Sequence, residues 1–341
     1  MLNLILRQDF DRILERVTPR FKDLADSRLL ITGAAGFVGS YFMDLMGYAN
    51  EHYFKQPCQV VGVDNWVAGS RVPTVGPDVT MIARLPPDYN AQWVIHAASI
   101  ASPQLYLAHP LETLAANVAL TERVLARCIT AEGLLHLSTS EVYGDTTEVP
   151  TLETCLGRAT FSTPRAVYHE SKRYGEMLCQ VHHRLAGVPV KIARPFYIYG
   201  PGENLGNGRM VPQLIKAALR GEAFTIYGEG KATRSLCYIS DAVEQLLVVM
   251  LDGEPGEAYN VGTADEISIG EFAQLGARLF DVKVVVVPDH ATLTADAPSR
   301  RVPDLHKLRA LGAPPPRVGL AMGLERTHRY YDRQERDRGC D

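Results

Sequence analysis

The sequence predicts an α/β fold built on a doubly wound parallel sheet, and two observations carry this prediction. From residue 28 onwards, short apolar runs alternate with longer segments of helical periodicity. Such alternation favours a parallel sheet covered by helices on both faces. The first apolar run also ends in a turn with glycines at three-residue spacing, which is typical of a strand, a phosphate-binding loop and a helix.

The glycine-rich turn predicts a dinucleotide site of the Rossmann type. Leu29 to Ile31 suit a strand buried on both faces. Gly33 permits a tight turn, Gly36 lets a pyrophosphate approach the backbone, and Gly39 lets the helix pack close to the sheet. The helix that opens at Phe37-Val38 would turn its free N–H groups and its positive dipole end toward the phosphates. Glycines also occur in ordinary turns, so this prediction needs a second signal.

That signal lies at the end of the next apolar run. Val60 to Val63 lead into Asp64, about 25 residues after the last glycine, where an acid that binds the adenosine ribose hydroxyls is expected. We assign Asp64 and the adjacent Asn65 to the cofactor site. Because a carboxylate repels a 2′-phosphate, the pattern predicts NAD rather than NADP. The alternative is an aspartate that merely closes a strand.

The composition is that of an ordinary globular chain. With 46% hydrophobic residues, the 341 residues suit one large α/β domain and a smaller lobe. A net charge of -4 without a Lys/Arg run argues against binding to nucleic acid or to membrane surfaces. Because the cysteines form no C-x-x-C pair, we expect no metal site, no disulfide framework and a cytoplasmic location. They are Cys58, Cys128, Cys155, Cys179, Cys237 and Cys340.

Residues 1–27 predict an amphipathic helix. Apolar residues recur at roughly helical spacing from Leu6 to Leu24, and charges such as Arg7 and Asp9 interrupt the apolar start. A signal peptide is therefore not indicated. We expect this helix to lie on the outside of the main domain or on a partner subunit. No later segment approaches the ~20 apolar residues of a membrane span.

The elements after Asp64 continue the alternation. Val79 to Leu85 predict a short strand between loops, and Trp93 to Ser99 predict a buried one. The small residues Ala97, Ala98 and Ser99 would let a cofactor pass close to the backbone. His96 is either a catalytic group or a satisfied core residue, and the second is commoner on an apolar strand.

A long helix and a further strand follow. Pro110 to Ala131 has helical periodicity without internal Gly or Pro. Leu134 to Ser140 predicts a strand that ends in three hydroxyl residues, so Thr139 and the next residue but one, Glu141, lie at a carboxyl end where ligands bind.

Tyr168 and Lys172 stand four positions apart at the start of the next helical pattern. This spacing places both side chains on one helix face. There the ammonium of Lys172 would lower the pKa of the phenol from about 10 and make Tyr168 a usable base. On its own, however, Tyr-x-x-x-Lys is also common on protein surfaces.

Together these residues resemble the extended short-chain dehydrogenase/reductases that modify nucleotide sugars, the NAD-dependent epimerase/dehydratase family, from Arg28 to about Leu311. The shared residues are Gly33, Gly36, Gly39, Asp64, Ser138, Thr139, Tyr168 and Lys172. The sequence looks closest to UDP-glucuronate decarboxylases and sugar-nucleotide 4,6-dehydratases. The motifs behind this are Thr139 to Asp145, Arg194-Pro195-Phe196, Tyr199 to Gly202, Gly208 to Val211, Tyr227 to Ser235, Tyr259 to Gly262 and Pro298 to Asp304.

The resemblance implies a division of the chain. Residues 28–195 plus about 231–263 would form the NAD-binding Rossmann domain. About 196–230 plus 264–341 would form a smaller C-terminal α/β lobe for the nucleotide sugar, and 1–27 would be a helical extension. The implied cofactor contacts are Gly33, Gly36, Phe37, Val38, Gly39, Asp64, Asn65, Ala97, Ala98, Ser99, Tyr168, Lys172 and Pro195.

The resemblance also implies the groups that hold the substrate. Arg209, Arg234 and Arg301 would reach the nucleotide diphosphate, which agrees with the fork geometry of guanidinium groups. The alternative for each arginine is an exposed, solubilising charge. Ser140 and Tyr197 complete the implied substrate site. Related enzymes pair helices near residues 111–131 and 165–186 into a four-helix bundle, so a homodimer is implied, with Leu178 and Val181 in the interface or in the core.

The implied chemistry keeps NAD as a catalytic group. Tyr168 as phenolate removes the proton of the sugar 4-hydroxyl while C4 gives its hydride to NAD. Lys172 and the positive nicotinamide stabilise the phenolate, and Thr139 positions the 4-oxygen. The resulting 4-ketone makes the substituents at C5 labile.

Three reactions can follow from the ketone. A glucuronate can lose carbon dioxide, with Glu141 and a nearby arginine orienting its carboxylate. A hexose would instead lose water, with Glu141 as the base at C5. Ser140 is a poor proton donor, which disfavours the dTDP-glucose type of dehydratase but not the GDP-mannose type. Simple 4-epimerases usually lack the acid at 141, which could otherwise be only a helix-start carboxylate.

Two departures from the family pattern concern the substrate and the cofactor edge. Tyr197 stands where relatives usually have an Asn that contacts the sugar diphosphate. The stretch between Val79 and Trp93 is short, and its strand is not followed directly by the Asp that commonly touches adenine. A divergent subgroup with another sugar is one reading. A catalytically silent NAD-binding scaffold is a further alternative, against which Thr139, Tyr168 and Lys172 argue.

Overall fold

A computed structural model of the chain describes residues 2–69, 71–73, 76, 78–84, 86, 89–288 and 298–338. The strands in chain order are β1 (Arg28–Thr32), β2 (Gln59–Val63), β3 (Val79–Ile82), β4 (Trp93–His96), β5 (Gly133–Leu137), β6 (Val190–Pro195), β7 (Tyr197–Tyr199), β8 (Phe224–Tyr227), β9 (Thr233–Tyr238), β10 (Ala258–Val261), β11 (Glu266–Ser268), β12 (Val284–Val287) and β13 (Arg300–Arg301). The helices are α1 (Leu4–Leu14), α2 (Phe37–His52), α3 (Pro103–Ala108), α4 (Pro110–Leu114), α5 (Thr121–Arg127), α6 (Ala166–Ala186), α7 (Met210–Arg220), α8 (Ile239–Asp252), α9 (Ile269–Phe280), α10 (His306–Ala310) and α11 (Leu320–Arg338). Short 3₁₀ helices span Pro19–Leu24 and Ser140–Tyr143, and a π-helical stretch spans Ala115–Leu120.

Seven of the described strands form one parallel sheet in the order β3-β2-β1-β4-β5-β6-β10. The chain builds from β1 outward to β3 and then crosses over to β4 on the other side of β1. Leu29 accordingly pairs with Val60 on one side and with Trp93 on the other. Ligands of open α/β sheets bind beyond the carboxyl ends of the strands at such a switch point. The predicted doubly wound parallel sheet is confirmed.

The central strands are buried on both faces, as their apolar sequences predict. Every residue of β4 and β5 is buried. His96 on β4 lies with Nδ1 2.6 Å from Thr32 Oγ1 and Nε2 2.8 Å from Thr121 Oγ1. Burial lowers the pKa of His96 to about 3, and the charge of Lys172 adds to this effect. His96 is therefore a neutral core residue with both nitrogens paired.

The helix predicted over Pro110 to Ala131 is interrupted and shorter, so that prediction was wrong in detail. A π-helical turn separates α4 from α5, and α5 ends at Arg127. Within this turn, Asn117 Nδ2 donates to Ser171 Oγ on α6 at 2.9 Å, and Thr121 Oγ1 donates to the Asn117 carbonyl at 2.8 Å. These polar contacts hold the widened turn against α6, and apolar spacing does not reveal them.

The N-terminal helix belongs to the core of its own chain. Phe10 and Ile13 of α1 are fully buried, and α1 packs against α2, α8 and α11. Asp9 is also buried, where Tyr238 Oη donates to Oδ2 at 2.8 Å and Arg326 Nη2 donates to Oδ1 at 2.6 Å. Of the two expected positions for this helix, the main body of the chain itself is the one observed.

Smaller sheets lie beyond the carboxyl ends of the parallel sheet. Strand β9 pairs with β7 and β13 in parallel and with β11 in antiparallel fashion, and β8 pairs with β12. Helix α8 and strand β10 then return to the parallel sheet. The predicted strand near residues 79–85 ends at Ile82, and Leu85 lies outside the described residues. No helix in the described ranges combines the length and apolar character of a membrane span.

Candidate active site

A cavity of about 910 Å³ opens at the carboxyl ends of the parallel strands. Every residue that the sequence assigned to the site lines it. The predicted cofactor side contributes Gly33, Gly36, Phe37, Val38, Gly39, Asp64, Asn65, Ala97, Ala98, Ser99 and Pro195. The predicted catalytic and substrate side contributes Thr139, Ser140, Glu141, Tyr168, Lys172, Tyr197, Arg209, Arg234 and Arg301.

The glycine-rich loop forms a cradle that side chains would fill. Gly33 has φ +73°, and a Cβ placed there would lie 2.6 Å from the backbone N of Ala98. A Cβ on Gly39 would lie 2.1 Å from the carbonyl oxygen of Gly33. Gly36 is the N-cap of α2 and provides no side-chain cap, and the first residues of this helix, Phe37 to Gly39, line the cavity, so their N–H groups are available to an anion there. These residues fit the pyrophosphate of a dinucleotide.

Asp64 ties the loop after β2 to the glycine-rich loop. Its Oδ2 accepts from the Ala35 N–H at 2.9 Å, and its Oδ1 accepts from the Trp66 N–H at 2.8 Å. A carboxylate oxygen can accept more than one hydrogen bond, so the contact to a ribose hydroxyl remains a prediction. Nearby, Ser99 Oγ is buried without a partner among the described residues, which leaves it for a polar ligand.

Tyr168, Thr139 and Lys172 all line the cavity. Tyr168 lies in the first turn of α6 and hydrogen-bonds with the Thr139 side chain. Lys172 lies one turn later and donates from Nζ to the Leu137 carbonyl at the end of β5, at 2.7 Å. The helix therefore brings the base candidate and the ammonium to the same wall, as the i, i+4 spacing predicts.

The pKa of the phenol differs from the expectation. Burial raises the pKa of Tyr168 to about 12, and the Glu141 carboxylate adds to the rise, while the hydrogen bond with Thr139 opposes it. Burial also lowers the pKa of Lys172 to about 8. The predicted lowering of the Tyr168 pKa by Lys172 is therefore wrong for the chain by itself. Desolvation of the phenol outweighs the positive charges of Arg209 and Arg301, which lower its pKa.

Glu141 lies between two guanidinium groups. Its Oε1 is 3.5 Å from Arg165 Nη2 and 3.5 Å from Arg301 Nη1. Although burial raises the pKa of Glu141, the Arg301 and Arg165 charges hold it below its ordinary value. Arg301 Nε is buried without a partner among the residues described. Glu141 is thus a carboxylate in a positively charged corner rather than only a helix-start acid.

Arg234 and Arg209 also line the cavity, in different surroundings. Arg234 Nη1 donates to the Thr233 carbonyl at 2.7 Å, and burial, with Arg301 close by, lowers its pKa to about 10. Arg209 Nη1 instead donates to Glu203 Oε1 at 2.9 Å. Arg300, to which the sequence gave no role, pairs with Glu266 away from the cavity lining.

Sequence reasoning missed three residues of this site. Arg165 is one of the two arginines that pair with Glu141. It stands about one helical turn before Tyr168, so its position in the sequence could have indicated a place in the site. The Tyr106 ring stacks on the Tyr168 ring at 5.1 Å between centroids and 5° between planes, and its buried hydroxyl has no partner in the described part of the chain. Glu203 is buried against Arg209, and no local pattern indicates it.

Comparisons with known proteins agree with this geometry. A sequence model of the NAD dependent epimerase/dehydratase family matches residues 29–262. UDP-glucuronic acid decarboxylase 1 of Xenopus tropicalis is 34% identical over 343 residues, covering 96% of this chain and 78% of the relative. UDP-glucuronic acid decarboxylase 6 of Arabidopsis thaliana is 36% identical over 309 residues, covering 88% of this chain and 87% of the relative.

Solved structures give the same answer for the fold. DesIV, a dTDP-glucose 4,6-dehydratase from Streptomyces venezuelae with bound NAD, is similar with a TM-score of 0.78 and 26% identity, covering 91% of this chain and 98% of that one. The epimerase Mth375 from Methanothermobacter thermautotrophicus reaches a TM-score of 0.81 at 23% identity, covering 98% and 97%. The chain therefore belongs to the NAD-dependent epimerase/dehydratase family of extended short-chain dehydrogenases, and NAD is its cofactor.

Proposed function

We propose that the chain is a UDP-glucuronate decarboxylase that oxidises the sugar at C4 and then releases the C5 carboxyl group as carbon dioxide. One observation carries the choice of substrate. Arg165 and Arg301 each lie 3.5 Å from a single carboxylate, Glu141, and the charge of Arg234 interacts with the same carboxylate. Three positive charges against one negative charge favour a ligand that brings further anionic groups. A uronate sugar with a diphosphate has both, and the decarboxylase relatives point the same way.

The chain's own residues divide the first step between them. NAD, when bound, supplies the acceptor for the hydride from C4. Thr139 positions the 4-oxygen, and Tyr168 takes the proton of the 4-hydroxyl. Because burial holds the pKa of Tyr168 at about 12, deprotonation needs added positive charge. Lys172 and the bound, cationic nicotinamide are the groups that can supply it.

In the second step, the substrate carboxylate must be bound in its ionised form. A 4-ketone next to the C5 carboxyl group makes a β-keto acid, which loses carbon dioxide as electrons move toward the ketone oxygen. Arg165 and Arg301 orient the substrate carboxylate. Glu141 holds the two guanidinium groups in place, since its own Oε1 lies 3.5 Å from each of them. C5 of the resulting enolate then takes a proton from solvent beside the ionised Glu141, and the return of the hydride to C4 gives the UDP-pentose. Ser140 lines the same wall and supplies no acid.

The other members of the reaction class remain defined alternatives. A GDP-mannose-type 4,6-dehydratase would use Glu141 as the base at C5. An epimerase would only return the hydride to the opposite face of the 4-ketone. The dehydratase leaves Arg165 without an anionic sugar substituent to bind, whereas an epimerase that acts on UDP-glucuronate would use Arg165 in the same way. A catalytically silent scaffold leaves the contact between Thr139 and Tyr168 without a role.

The same proposal includes the division into lobes and a dimer. Residues 28–195 with about 231–263 would hold NAD, and about 196–230 with 264–341 would close on the nucleotide sugar. Apolar side chains that point to solvent on α4 and α6 support pairing with a second copy in a four-helix bundle. They are Leu111, Leu114, Tyr174, Met177 and Leu185.

For Leu178 and Val181 the sequence left both the interface and the core open. Leu178 is half-buried and packs against the core of its own chain, and Val181 is also half-buried. The exposed neighbours on α6 are better placed for a partner.

We also propose a cytoplasmic location, because Cys58, Cys128, Cys155, Cys179 and Cys237 are free, whereas Cys340 lies outside the described residues.

A substrate panel tests the proposal. The purified chain, without added cofactor, is incubated with UDP-glucuronate, UDP-glucose, dTDP-glucose and GDP-mannose, and the product masses and proton spectra are read. The proposal expects loss of carbon dioxide from UDP-glucuronate alone. Loss of water from a hexose nucleotide would overturn it in favour of a dehydratase, and a mass-neutral change in the sugar would favour an epimerase.

A further inference from the structure

We infer that Tyr197 is a positioning residue that holds the guanidinium of Arg209 ready for the diphosphate of the substrate. The inference rests on the proposed function, because it concerns how the same cavity binds a nucleoside diphosphate. It assigns a role to the phenol that stands where related enzymes usually have an Asn. Three contacts carry it, two on the Arg209 side chain and one on the Tyr197 hydroxyl.

The first contact is a cation–π contact. The guanidinium carbon of Arg209 lies 4.0 Å from the centroid of the Tyr197 ring. A guanidinium placed on an aromatic face keeps its N–H donors at its edges, in the plane where a phosphate can meet two of them at once. Tyr197 therefore supports the charge without using any of its hydrogen-bond donors.

The second contact fixes the aromatic ring itself. The N–H of Val211, in the first turn of α7, donates to Tyr197 Oη at 3.3 Å. Arg209 is the N-cap residue of the same helix. The phenol thus connects β7 to the start of α7, and both the platform and the arginine that rests on it belong to one rigid corner. It also occupies a helix N–H that would otherwise be free.

The third contact sets the direction of the fork. Glu203 is 3% exposed and accepts from Arg209 Nη1 at 2.9 Å, and Asn207 Nδ2 donates to the same carboxylate oxygen at 3.1 Å. Ser102 Oγ in turn donates to the Asn207 carbonyl at 3.0 Å, which ties this loop to the cofactor side. Arg209 Nε and Nη2 have no protein partner among the described residues.

These contacts give Arg209 one prepared orientation. Both Tyr197 and Arg209 line the cavity, so the unpaired edge of the guanidinium is available to a ligand. A flexible arginine would lose rotamer freedom when it binds phosphate, whereas one that is already stacked and paired loses little. The expected effect of Tyr197 is therefore on affinity for the nucleotide rather than on the rate of the chemical step.

The test uses UDP as the probe and the holoenzyme as purified. We expect Tyr197→Leu to weaken UDP binding by about five- to tenfold in calorimetric titration, and Tyr197→Phe to restore most of the loss because it keeps the aromatic face. In turnover, Tyr197→Leu should raise KM by a similar factor while kcat changes by less than twofold. Tyr227→Leu, an exposed tyrosine outside the cavity lining, is the matched control.

A double-mutant cycle keeps the inference falsifiable if Tyr197→Leu also lowers stability. Arg209→Lys keeps the charge but cannot stack as a planar fork, so Tyr197→Leu should cost far less in the Arg209→Lys background than in the parent. Additive effects, or a Tyr197→Leu variant that binds UDP as tightly as the parent, would overturn the inference. A parent that binds no UDP would overturn the proposed function first and the inference with it.

Discussion

The closest backbone approach in the cofactor loop gives a quantitative prediction. In Gly39→Ala, the new Cβ would lie 2.1 Å from the Gly33 carbonyl oxygen, and that neighbour is backbone that cannot rotate away. The loop must therefore shift by about 1 Å or more to reach an ordinary contact, which deforms the pyrophosphate cradle. We expect the affinity for NAD to fall by about a hundredfold, because correctly placed N–H groups supply much of the binding of a phosphate.

Thermal unfolding measures this loss. At an NAD concentration of about 100 times the parent's Kd, the cofactor stabilises the parent by about 2.7 kcal/mol, and a hundredfold loss leaves about 0.4 kcal/mol. For 341 residues the entropy of unfolding is about 0.7 kcal/mol per degree, so 1 kcal/mol corresponds to about 1.4 °C. NAD added to the cofactor-free chain should raise the Tm of the parent by about 4 °C and that of Gly39→Ala by less than about 1 °C.

A matched control separates the cradle from a general effect of added methyl groups. Gly319 has no heavy atom within 4 Å of a built Cβ and no positive φ, so Gly319→Ala should keep the full shift with NAD. A Gly39→Ala variant that keeps the parent's shift would refute the reasoning. It would mean that the loop accommodates a side chain without loss of the phosphate site.

Three further predictions concern charge. Arg301→Gln should lower kcat for carbon dioxide release by about a hundredfold, because one of the two cations beside Glu141 is lost. The control is Arg300→Gln, which lies outside the cavity and should change kcat little. Equal losses of kcat in both variants would contradict this role of Arg301. Burial raises the pKa of Glu244 to about 7, above its unfolded value, so the native chain holds the extra proton and this group's contribution to stability falls as the pH rises from about 4.5 through 7. Urea unfolding should therefore find Glu244→Gln more stable than the parent at pH 8, by up to roughly 3 kcal/mol, with the advantage shrinking toward pH 5; a difference independent of pH would exclude this explanation. Arg326→Met leaves the buried Asp9 carboxylate without its cation and should lower the free energy of unfolding by about 3–5 kcal/mol. The control is Arg329→Met on the same helix, where the arginine side chain is 67% exposed and the change should be less than about 0.5 kcal/mol. Similar urea midpoints for the two variants would refute the role of the ion pair between Arg326 and Asp9.

Features coded by neighbouring residues could be predicted from the sequence. The glycine cradle and the acid that follows β2 depend on local spacing, and the structure places Gly33 and Asp64 in the same cavity. Tyr168 and Lys172 share a wall because they are one helical turn apart. The parallel sheet follows from alternation of apolar runs and helices, and the observed strand order confirms it.

Features that depend on tertiary contact could not be predicted in the same way. Asp9 lies in an apparently ordinary amphipathic helix, yet its partner Arg326 comes from the other end of the chain. Glu203 acquires its role only when its loop folds over Arg209. The direction of the Tyr168 pKa was predicted wrongly because the desolvation of the phenol depends on the whole surrounding wall, whereas the sequence indicates only the nearest charge.

The most direct test of the account follows the carboxyl carbon of the sugar. The purified chain is incubated with UDP-glucuronate labelled with ¹³C at the carboxyl group, and both the gas and the nucleotide product are analysed. The account predicts one labelled carbon dioxide for each UDP-pentose formed, and no release from a Tyr168→Phe variant that retains NAD. A nucleotide product that keeps the label, whether dehydrated or epimerised, would contradict it.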